Sequence, residues 1–303
     1  MDDRQKSELM RLTNGKVRFG CPMAPFTTMN VGGEVEALVE AGDVQALQRI
    51  AAFADAEAIP LLPVGRGSNL LVTDDGLDGL VVLVMGAGIE QKEGPAGEKA
   101  LSVEAGLGLA DLLAHCRRLG LAGLEFLAGI PGSVGGAVAM NAGAFGSQIG
   151  DRVLEVRLVT GSGQLDVRGR AQLSFSYRHL RLEPGMTIAG ALLGVQADSG
   201  DAVASRIGSH LKQRKQAQPV TRPSAGSVFK NPPNDYAGRL IESVGLKGRR
   251  IGGAMISPAH ANYIVNAGGA RAGDVLALLR LARDTVKRKT GITLEPEIRV
   301  VGK

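Results

Sequence analysis

Two glycine-rich segments of the sequence are the first candidates for a ligand site. The shorter segment, Val64-Gly65-Arg66-Gly67-Ser68-Asn69, lies between two apolar runs that predict strands. The longer segment runs from Ala128 to Gly146 and includes Gly129-Ile130-Pro131-Gly132-Ser133-Val134-Gly135-Gly136. Loops of this kind expose successive backbone N–H groups and let a ligand approach the backbone closely, so both segments can cradle a phosphate.

The shorter segment does not match a common nucleotide-binding motif. The shorter loop lacks the Gly-Lys-Ser/Thr of a Walker loop, and a strand follows it where a Rossmann fingerprint requires a helix. Taken alone, the shorter loop is as compatible with a structural turn as with a site. The longer run of small residues favours a site for a large flat ligand and its pyrophosphate.

The composition excludes several other classes of site. The two cysteines, Cys21 and Cys116, and the four histidines do not show metal-ligand spacing, so we expect neither a metal site nor a disulfide framework. The formal net charge of +5 fits either a mildly basic surface or an attraction for phosphate-rich small molecules. Aromatic residues make up only 3% and tryptophan is absent, so stacking platforms for nucleic acid are few. We therefore expect no nucleic-acid partner.

Hydrophobic periodicity predicts the elements that position these loops. Asp43 is a candidate N-cap for a helix to Ala56, and Gly120 a candidate C-terminal end for a helix over Leu109–Leu119. We predict a domain boundary near residues 205–218, where a polar, basic helix over Asp201–Gln216 ends. The predicted strands are Pro60–Val64, Asn69–Thr73, Gly79–Val84, Leu101–Glu104, Val153–Thr160, Gln164–Arg168, Met186–Gln196 and Ile292–Val300, and the later helices are Tyr236–Val244 and Gly273–Lys289.

No apolar run approaches the roughly 18 residues needed to cross a membrane. The first twenty residues are polar and charged and lack the apolar core of a secretory signal. We therefore expect a cytoplasmic protein with no membrane association, and no protein partner is predicted.

Taken together, the motifs resemble those of the UDP-N-acetylenolpyruvoylglucosamine reductases. The two glycine-rich loops occur in that family's order and are joined by Gly123-Leu124-Glu125-Phe126-Leu127. Later matches are Phe175-Ser176-Tyr177-Arg178, Gly226-Ser227-Val228-Phe229-Lys230-Asn231-Pro232 and Leu294-Glu295-Pro296-Glu297-Ile298. The resemblance runs from about residue 20 to the end. The sequence departs from the family's usual pattern at Met29-Asn30, at His179-Leu180-Arg181 and in the segment before His260.

The resemblance implies an α+β fold with a vanillyl-alcohol-oxidase-type FAD-binding domain. That domain has two α+β subdomains, which we expect at residues 1–85 and 86–210. An α+β substrate-binding domain is expected at residues 211–303, with the option that the last few residues return to the first subdomain. The short substrate domain is typical of the compact subgroup of the family.

The resemblance also implies the chemistry and the site residues. NADPH would reduce noncovalently bound FAD, which would then reduce the enolpyruvyl group of a UDP-sugar in cell-wall peptidoglycan synthesis. In this interpretation Arg178 stabilises the substrate carboxylate, Glu297 polarises it in protonated form, and Ser227 donates a proton. If Glu295 and Glu297 share one strand face, the nearby carboxylate would raise the pKa of Glu297.

The remaining candidates come from the same motif match. The substrate candidates are Lys230, Asn231, Arg214, Gln218 and His260. The cofactor candidates are Val64, Gly65, Arg66, Gly67, Ser68, Asn69, Gly129, Ile130, Pro131, Gly132, Ser133, Gly135, Gly136, Asn141, Gly143 and Ala144.

Two other functions remain open from the sequence. One is an FAD oxidase or dehydrogenase acting on an alcohol or a sugar, which would leave the segment Ser227–Asn231 and Glu297 unexplained. The other is a noncatalytic nucleotide-binding or regulatory protein, which would bind flavin or nucleotide without turnover.

Overall fold

The computed structural model describes residues 1–219 and 221–303 of the chain. It contains both helices and sheets whose strands are mostly antiparallel, so the expected α+β class is confirmed. The α-helices are α1 (Asp3–Leu12), α2 (Val44–Ala56), α3 (Leu109–Leu119), α4 (Val134–Ala139), α5 (Gly200–Ala217), α6 (Ala237–Ser243) and α7 (Ala272–Thr290).

The strands are mostly short. In chain order they are β1 (Val17–Pro22), β2 (Glu34–Ala41), β3 (Leu61–Val64), β4 (Leu70–Val72), β5 (Leu77–Val84), β6 (Ile89–Glu93), β7 (Lys99–Glu104), β8 (Leu121–Ala122), β9 (Gly143–Ala144), β10 (Ser147–Gln148), β11 (Val153–Val159), β12 (Leu165–Gly169), β13 (Ser174–Ser176), β14 (His179–Arg181), β15 (Thr187–Gly194), β16 (Gln196–Ala197), β17 (Ser224–Ser227), β18 (Arg250–Ile251), β19 (Ala254–Ile256), β20 (Tyr263–Asn266) and β21 (Arg299–Val301).

The chain forms two compact units. The first unit comprises Met1–Phe19, Ala37–Arg66 and Gly79–Lys212. The second unit comprises Gly20–Glu36, Gly67–Asp78 and Gln213–Lys303. Two short segments from the N-terminal part of the chain therefore belong to the same unit as its last third.

The first unit contains two hydrophobic cores. One lies under a sheet of order β1-β2-β5-β3, against which α1 and α2 bury their apolar faces. Helix α2 begins where the sequence predicts, because Asp43 Oδ1 accepts a hydrogen bond of 2.7 Å from the N–H of Ala46. The strand predictions for β3 and β5 are also confirmed, and these two strands pair in parallel.

The second core of the first unit lies under an antiparallel sheet of order β12-β11-β15-β7-β6. Helix α3 packs into this core through Leu109, Leu112 and Cys116. It ends at Gly120, whose φ of 61° is in the left-handed region that glycine adopts without penalty. The predicted end of the helix is thus confirmed together with its physical cause.

The second unit contains a sheet of order β17-β20-β19-β18 and a core shared with α6 and α7. Strand β21 pairs in parallel with β4, residue Arg299 lying opposite Leu70. No helix of the two described segments is long and apolar enough to span a membrane.

The prediction of one continuous strand over Ile292–Val300 is wrong. The strand is confined to β21, and Pro296 forms only an isolated bridge with Phe229. The missing N–H of Pro296 breaks no bond to Phe229, because the flanking residues Glu295 and Glu297 carry the two hydrogen bonds of this bridge. Glu295 and Glu297 therefore lie on an irregular segment and not on a regular strand.

Asp74 is expected to stabilise the second unit by capping a distant helix. Its two carboxylate oxygens accept hydrogen bonds of 2.9 and 2.8 Å from the N–H groups of Ala272 and Gly273, at the start of α7. Asp74→Ala should lower the free energy of unfolding by about 1–2 kcal/mol, as measured by urea denaturation. Asp75→Ala, which removes the neighbouring exposed carboxylate, is the matched control. Equal stability of the two variants would contradict this role.

Candidate active site

The two glycine-rich loops meet in the first unit. A Cβ atom on Gly65 would overlap the hydroxyl oxygen of Ser133, so a larger residue here requires that hydroxyl to move. Next to it, Arg66 lies 3.3 Å from the carboxylate of Asp111 at the start of α3. The structure therefore brings Gly65 and Arg66 together with Ser133, as one ligand-binding loop cluster would require.

The backbone of the longer loop leaves donors available for a ligand. Val134 and Gly135 donate their N–H groups to Leu107 and Ala105, at 2.9 and 2.8 Å. No protein acceptor is described, in residues 1–219 and 221–303, for the N–H groups of Gly132 and Ser133. Buried backbone donors normally have a partner, so these two N–H groups fit the phosphates of a dinucleotide.

Gly67, Ser68 and Asn69 belong to the second unit, unlike Val64, Gly65 and Arg66. Gly67 has a φ of 58° and accepts a hydrogen bond of 3.2 Å from the N–H of Thr28. Asn69 donates from Nδ2 to the carbonyl of Glu297 at 2.9 Å. Asn69, which the motif match assigns to the cofactor, thus also fixes the backbone of a predicted catalytic residue.

Ser227 and Glu297 lie on neighbouring backbone segments of the second unit. The N–H of Glu297 donates to the carbonyl of Val228 at 2.8 Å, and the N–H of Lys230 donates to that of Glu295 at 2.8 Å. Ser227 ends β17 after a bulge, where Gly226 has a φ of 76°. A bulge turns the following side chain away from the regular alternation of the strand, and here that side chain is Ser227.

Asn262 organises this segment, and the sequence analysis did not identify it. Its Oδ1 accepts from the N–H of Phe229 at 3.0 Å, and its Nδ2 donates to the carbonyl of Phe229 at 2.8 Å. Its own carbonyl accepts from the N–H of Val228 at 2.9 Å. Asn262 is 3% exposed. The signal in the sequence that could have identified it was its position two residues after His260.

Lys230 and Asn231 make contacts within the protein. Lys230 Nζ lies 2.6 Å from Glu295 Oε1, so the exposed Glu295 carboxylate is paired with a cation. The expected effect of Glu295 on Glu297 depended on a shared strand face, and the structure instead pairs the Glu295 carboxylate with Lys230. Asn231 Oδ1 accepts from the N–H of Ala237 at 3.0 Å and thereby caps α6.

The other substrate candidates also lie in the second unit. Arg214 donates to the Gln218 side chain at 3.3 Å. His260 Nδ1 accepts from the N–H of Asn262 at 3.2 Å, and its ring packs edge-on against Tyr263. Burial lowers the pKa of His260, and the nearby Lys247 ammonium lowers it further. Both the low pKa and the accepted hydrogen bond require a neutral imidazole.

Arg178 belongs to the first unit, at the tip of the β13–β14 hairpin. Its φ is 58°, and its guanidinium lies 5.0 Å from the ring centroid of the neighbouring Tyr177.

Of the remaining cofactor candidates in this unit, Pro131, Gly129 and Gly136 are exposed, whereas the Asn141 side chain is fully buried. Gly143 and Ala144 form β9. Among the described residues, no group of three or more His, Cys, Asp and Glu side chains could hold a metal ion.

Gly65→Ala should weaken binding of the predicted flavin ligand. The added methyl group would displace the Ser133 hydroxyl, which caps α4. We expect a cost of about 1–3 kcal/mol, which corresponds to a dissociation constant raised roughly 5- to 150-fold. Fluorescence titration of the apoprotein with FAD measures this change. Gly42→Ala is the matched control, because its Cβ would have open space around it. Unchanged affinity in Gly65→Ala would show that this approach of the loops does not shape the site.

His260 should make folding sensitive to mild acid. Its pKa is lowered in the folded state, so as pH falls through the unfolded-state value near 6.5 the unfolded chain takes up a proton first. The stability that the neutral ring contributes is thus complete above about pH 7.5 and declines below it. Denaturation at pH 7.5 and 5.5 should show a smaller loss for His260→Gln than for the unsubstituted protein. The same loss in both would refute this role.

Comparisons with known proteins identify the family of the chain. Residues 218–301 match the family model described as UDP-N-acetylenolpyruvoylglucosamine reductase, C-terminal domain, and residues 35–167 match the model described as FAD binding domain. The UDP-N-acetylenolpyruvoylglucosamine reductase of Geobacter sulfurreducens is 42% identical over 302 residues, covering 100% of this chain and 99% of the relative. That of Bacillus licheniformis is 40% identical over 303 residues, covering 99% of both.

Solved structures give the same result. The crystal structure of UDP-N-acetylenolpyruvylglucosamine reductase from Thermus caldophilus superposes with a TM-score of 0.78 at 36% identity, covering 94% of this chain and 98% of that one. A Phl p 4 variant described as a glucose dehydrogenase has a TM-score of 0.50 at 14% identity and shares the fold alone. With FAD as cofactor and with relatives similar over its whole length, the chain belongs to the UDP-N-acetylenolpyruvoylglucosamine reductase family.

Proposed function

We propose that this protein uses NADPH to reduce the enolpyruvyl group of UDP-N-acetylglucosamine enolpyruvate, giving UDP-N-acetylmuramate. The observation that carries the proposal is the paired backbone of Ser227–Lys230 and Glu295–Glu297, which fixes the predicted proton donor and the predicted acid on adjacent segments. An alcohol or sugar oxidase has no evident use for this arrangement. The whole-length similarity to reductases of the family supports the same choice.

The cofactor supplies a hydride, received from NADPH, to the terminal carbon of the enolpyruvyl double bond. The first unit fits the cofactor through the N–H groups of Gly132 and Ser133 and the close approach at Gly65. A basic chain with net charge +5 suits ligands that carry pyrophosphate. The other tasks fall to the side chains of this protein.

Arg178 binds the substrate carboxylate in this proposal. Hydride addition at the terminal carbon shifts negative charge toward the carboxylate, so a fixed cation there stabilises the transition state. A guanidinium is always charged and forks onto both carboxylate oxygens. The half-buried position of Arg178, at a turn with left-handed backbone, supports a role that requires one orientation.

Glu297 assists Arg178 by donating a hydrogen bond to the carboxylate, which requires Glu297 to be protonated. Its backbone is held on both sides, by Val228 through its N–H and by Asn69 through its carbonyl. The Glu295 carboxylate is paired with the Lys230 ammonium. Repulsion between the Glu295 and Glu297 carboxylates therefore does not account for a protonated Glu297. The negative charge of the substrate carboxylate would favour the protonated form of Glu297.

Ser227 gives its hydroxyl proton to the carbon next to the carboxylate, which completes addition of H⁻ and H⁺ across the double bond. A serine hydroxyl is a weak acid, so it acts only on a strongly basic carbon held within hydrogen-bond reach. The bulge at Gly226 and the backbone bonds of Val228 and Phe229 to Asn262 supply the required rigidity.

Lys230 is proposed to bind a substrate phosphate, and this binding must compete with Glu295 at 2.6 Å. Arg214, Gln218 and His260 are proposed as further contacts to the nucleotide. The reaction is proposed to take place in the cytoplasm as a step of peptidoglycan synthesis, on small-molecule partners only.

Ser227→Ala should separate the two half-reactions. With FAD-loaded protein, bleaching of the flavin absorbance by NADPH should keep its rate, since no proton from Ser227 is needed there. Anaerobic recovery of the absorbance on adding the enolpyruvyl substrate should slow by about 100-fold or more. Stopped-flow absorbance measures both steps.

Ser224→Ala, three residues earlier on the same strand, is the matched control and should recover at the normal rate. Equal slowing of both half-reactions in Ser227→Ala, or of neither, would remove Ser227 as proton donor. A flavin that NADPH bleaches but this substrate does not restore in the unsubstituted protein would instead favour the alcohol or sugar oxidase.

A further inference from the structure

The turn that carries Arg178 is poorly suited to hold its own shape. Ser176 pairs with His179, so Tyr177 and Arg178 form a two-residue turn at the end of a two-stranded ribbon. Such turns are most stable with glycine or asparagine at positions of positive φ. Here the residue with a φ of 58° is an arginine, and φ is not positive at Tyr177. Support from outside the ribbon must therefore fix the turn.

Asn141 provides this support. Its side chain is fully buried, and its Nδ2 donates to the carbonyl of Ser176 at 2.9 Å, directly before the turn. The same Nδ2 donates to Gln148 Oε1 at 2.9 Å, and Oδ1 accepts from the N–H of Gly150 at 3.0 Å. The amide thus joins the Arg178 turn to the segment around Gln148 and Gly150.

Few other residues could occupy position 141. Its φ of 40° is in the left-handed region, which asparagine tolerates better than most residues with a side chain. Glycine would satisfy the backbone but make none of the three bonds, and aspartate would lose both donated ones. A Cβ on Gly150 would lie 2.8 Å from Asn141 Oδ1 and 2.9 Å from the Phe175 ring, so the surroundings are closely fitted to the amide.

Asn141 also connects two parts of the proposed machinery. It lies just after α4, and Gly132 and Ser133 lie just before that helix. Helix α4 is capped by Ser133 at one end, and the N–H of Asn141 donates to Val138 at 3.1 Å at the other. Helix α4 therefore lies between the loop of Gly132 and Ser133 and the Asn141 amide, which bonds to the Arg178 turn.

We propose that Asn141 is a positioning residue for Arg178, acting through the carbonyl of Ser176 and not through contact with the cofactor. The proposal rests on the role of Arg178 given above. A displaced guanidinium would still be charged but would no longer meet both oxygens of the substrate carboxylate. Misplacement of a stabilising group by about 1 Å can slow a reaction by on the order of 100-fold.

The test uses FAD-loaded protein with Asn141→Asp, Asn141→Ala, Arg178→Ala and the double variant Asn141→Ala/Arg178→Ala. Stopped-flow absorbance follows flavin reduction by NADPH and flavin reoxidation by the enolpyruvyl substrate. We expect both Asn141 variants to reduce at the normal rate and to reoxidise roughly 10- to 100-fold more slowly. The double variant should reoxidise no more slowly than Arg178→Ala, because residues that act as a unit are not additive.

Gln148→Ala is the matched control. It removes one bond of the Asn141 amide and leaves the bond to Ser176 in place, so its reoxidation rate should stay close to normal. Full additivity in the double variant, or normal reoxidation in both Asn141 variants, would overturn the assignment. Loss of FAD from both Asn141 variants would also overturn it, because Asn141 would then serve the cofactor. Normal reoxidation in Arg178→Ala would instead refute the proposed role of Arg178 itself.

Discussion

The second unit depends on backbone hydrogen bonds between two segments that do not form a regular sheet. Val228 and Lys230 bond to Glu297 and Glu295, and the pairing is limited to one bridge between Phe229 and Pro296. The buried Asn262 supplies the bonds that a neighbouring strand would otherwise provide. A buried amide whose bonds are all made gives rigidity, whereas an unsatisfied one would cost stability. These bonds thus fix the backbone next to Ser227, which is the last residue of the short strand β17.

Much of the framework was predictable because its signals are local. Asp43, Gly120 and the apolar spacing between Leu109 and Leu119 determine helix ends through neighbouring residues alone, and the structure confirms them. The irregular course at Glu295–Glu297 was not predicted, although Pro296 is visible in the sequence. Alternation of side chains suggested a strand through residue 300, whereas the segment forms one isolated bridge before β21 begins at Arg299.

The candidate site was predictable only through motif resemblance. Nothing local indicates that Asn69 bonds to Glu297, that Asn231 caps α6, or that Lys230 is paired with Glu295. These contacts join residues brought together by the fold, and several polar side chains assigned to ligands also serve the protein backbone. The three-part domain division stays a prediction, while the structure shows that Gly20–Glu36 and Gly67–Asp78 share a unit with the C-terminal third.

That arrangement has a consequence for the order in which the protein is made. Strand β4 receives its partner β21 only from residues 299–301, and Asp74 meets the start of α7 only after residue 273 has been synthesised. Contacts between residues so far apart in sequence require closure of a long loop, which slows folding. During synthesis, the first unit has all of its residues once Lys212 has emerged, whereas the second unit still lacks β21. Until residues 299–301 have been made, the apolar strand Leu70–Val72 lacks its partner strand, so the pairing within the second unit is completed late in synthesis.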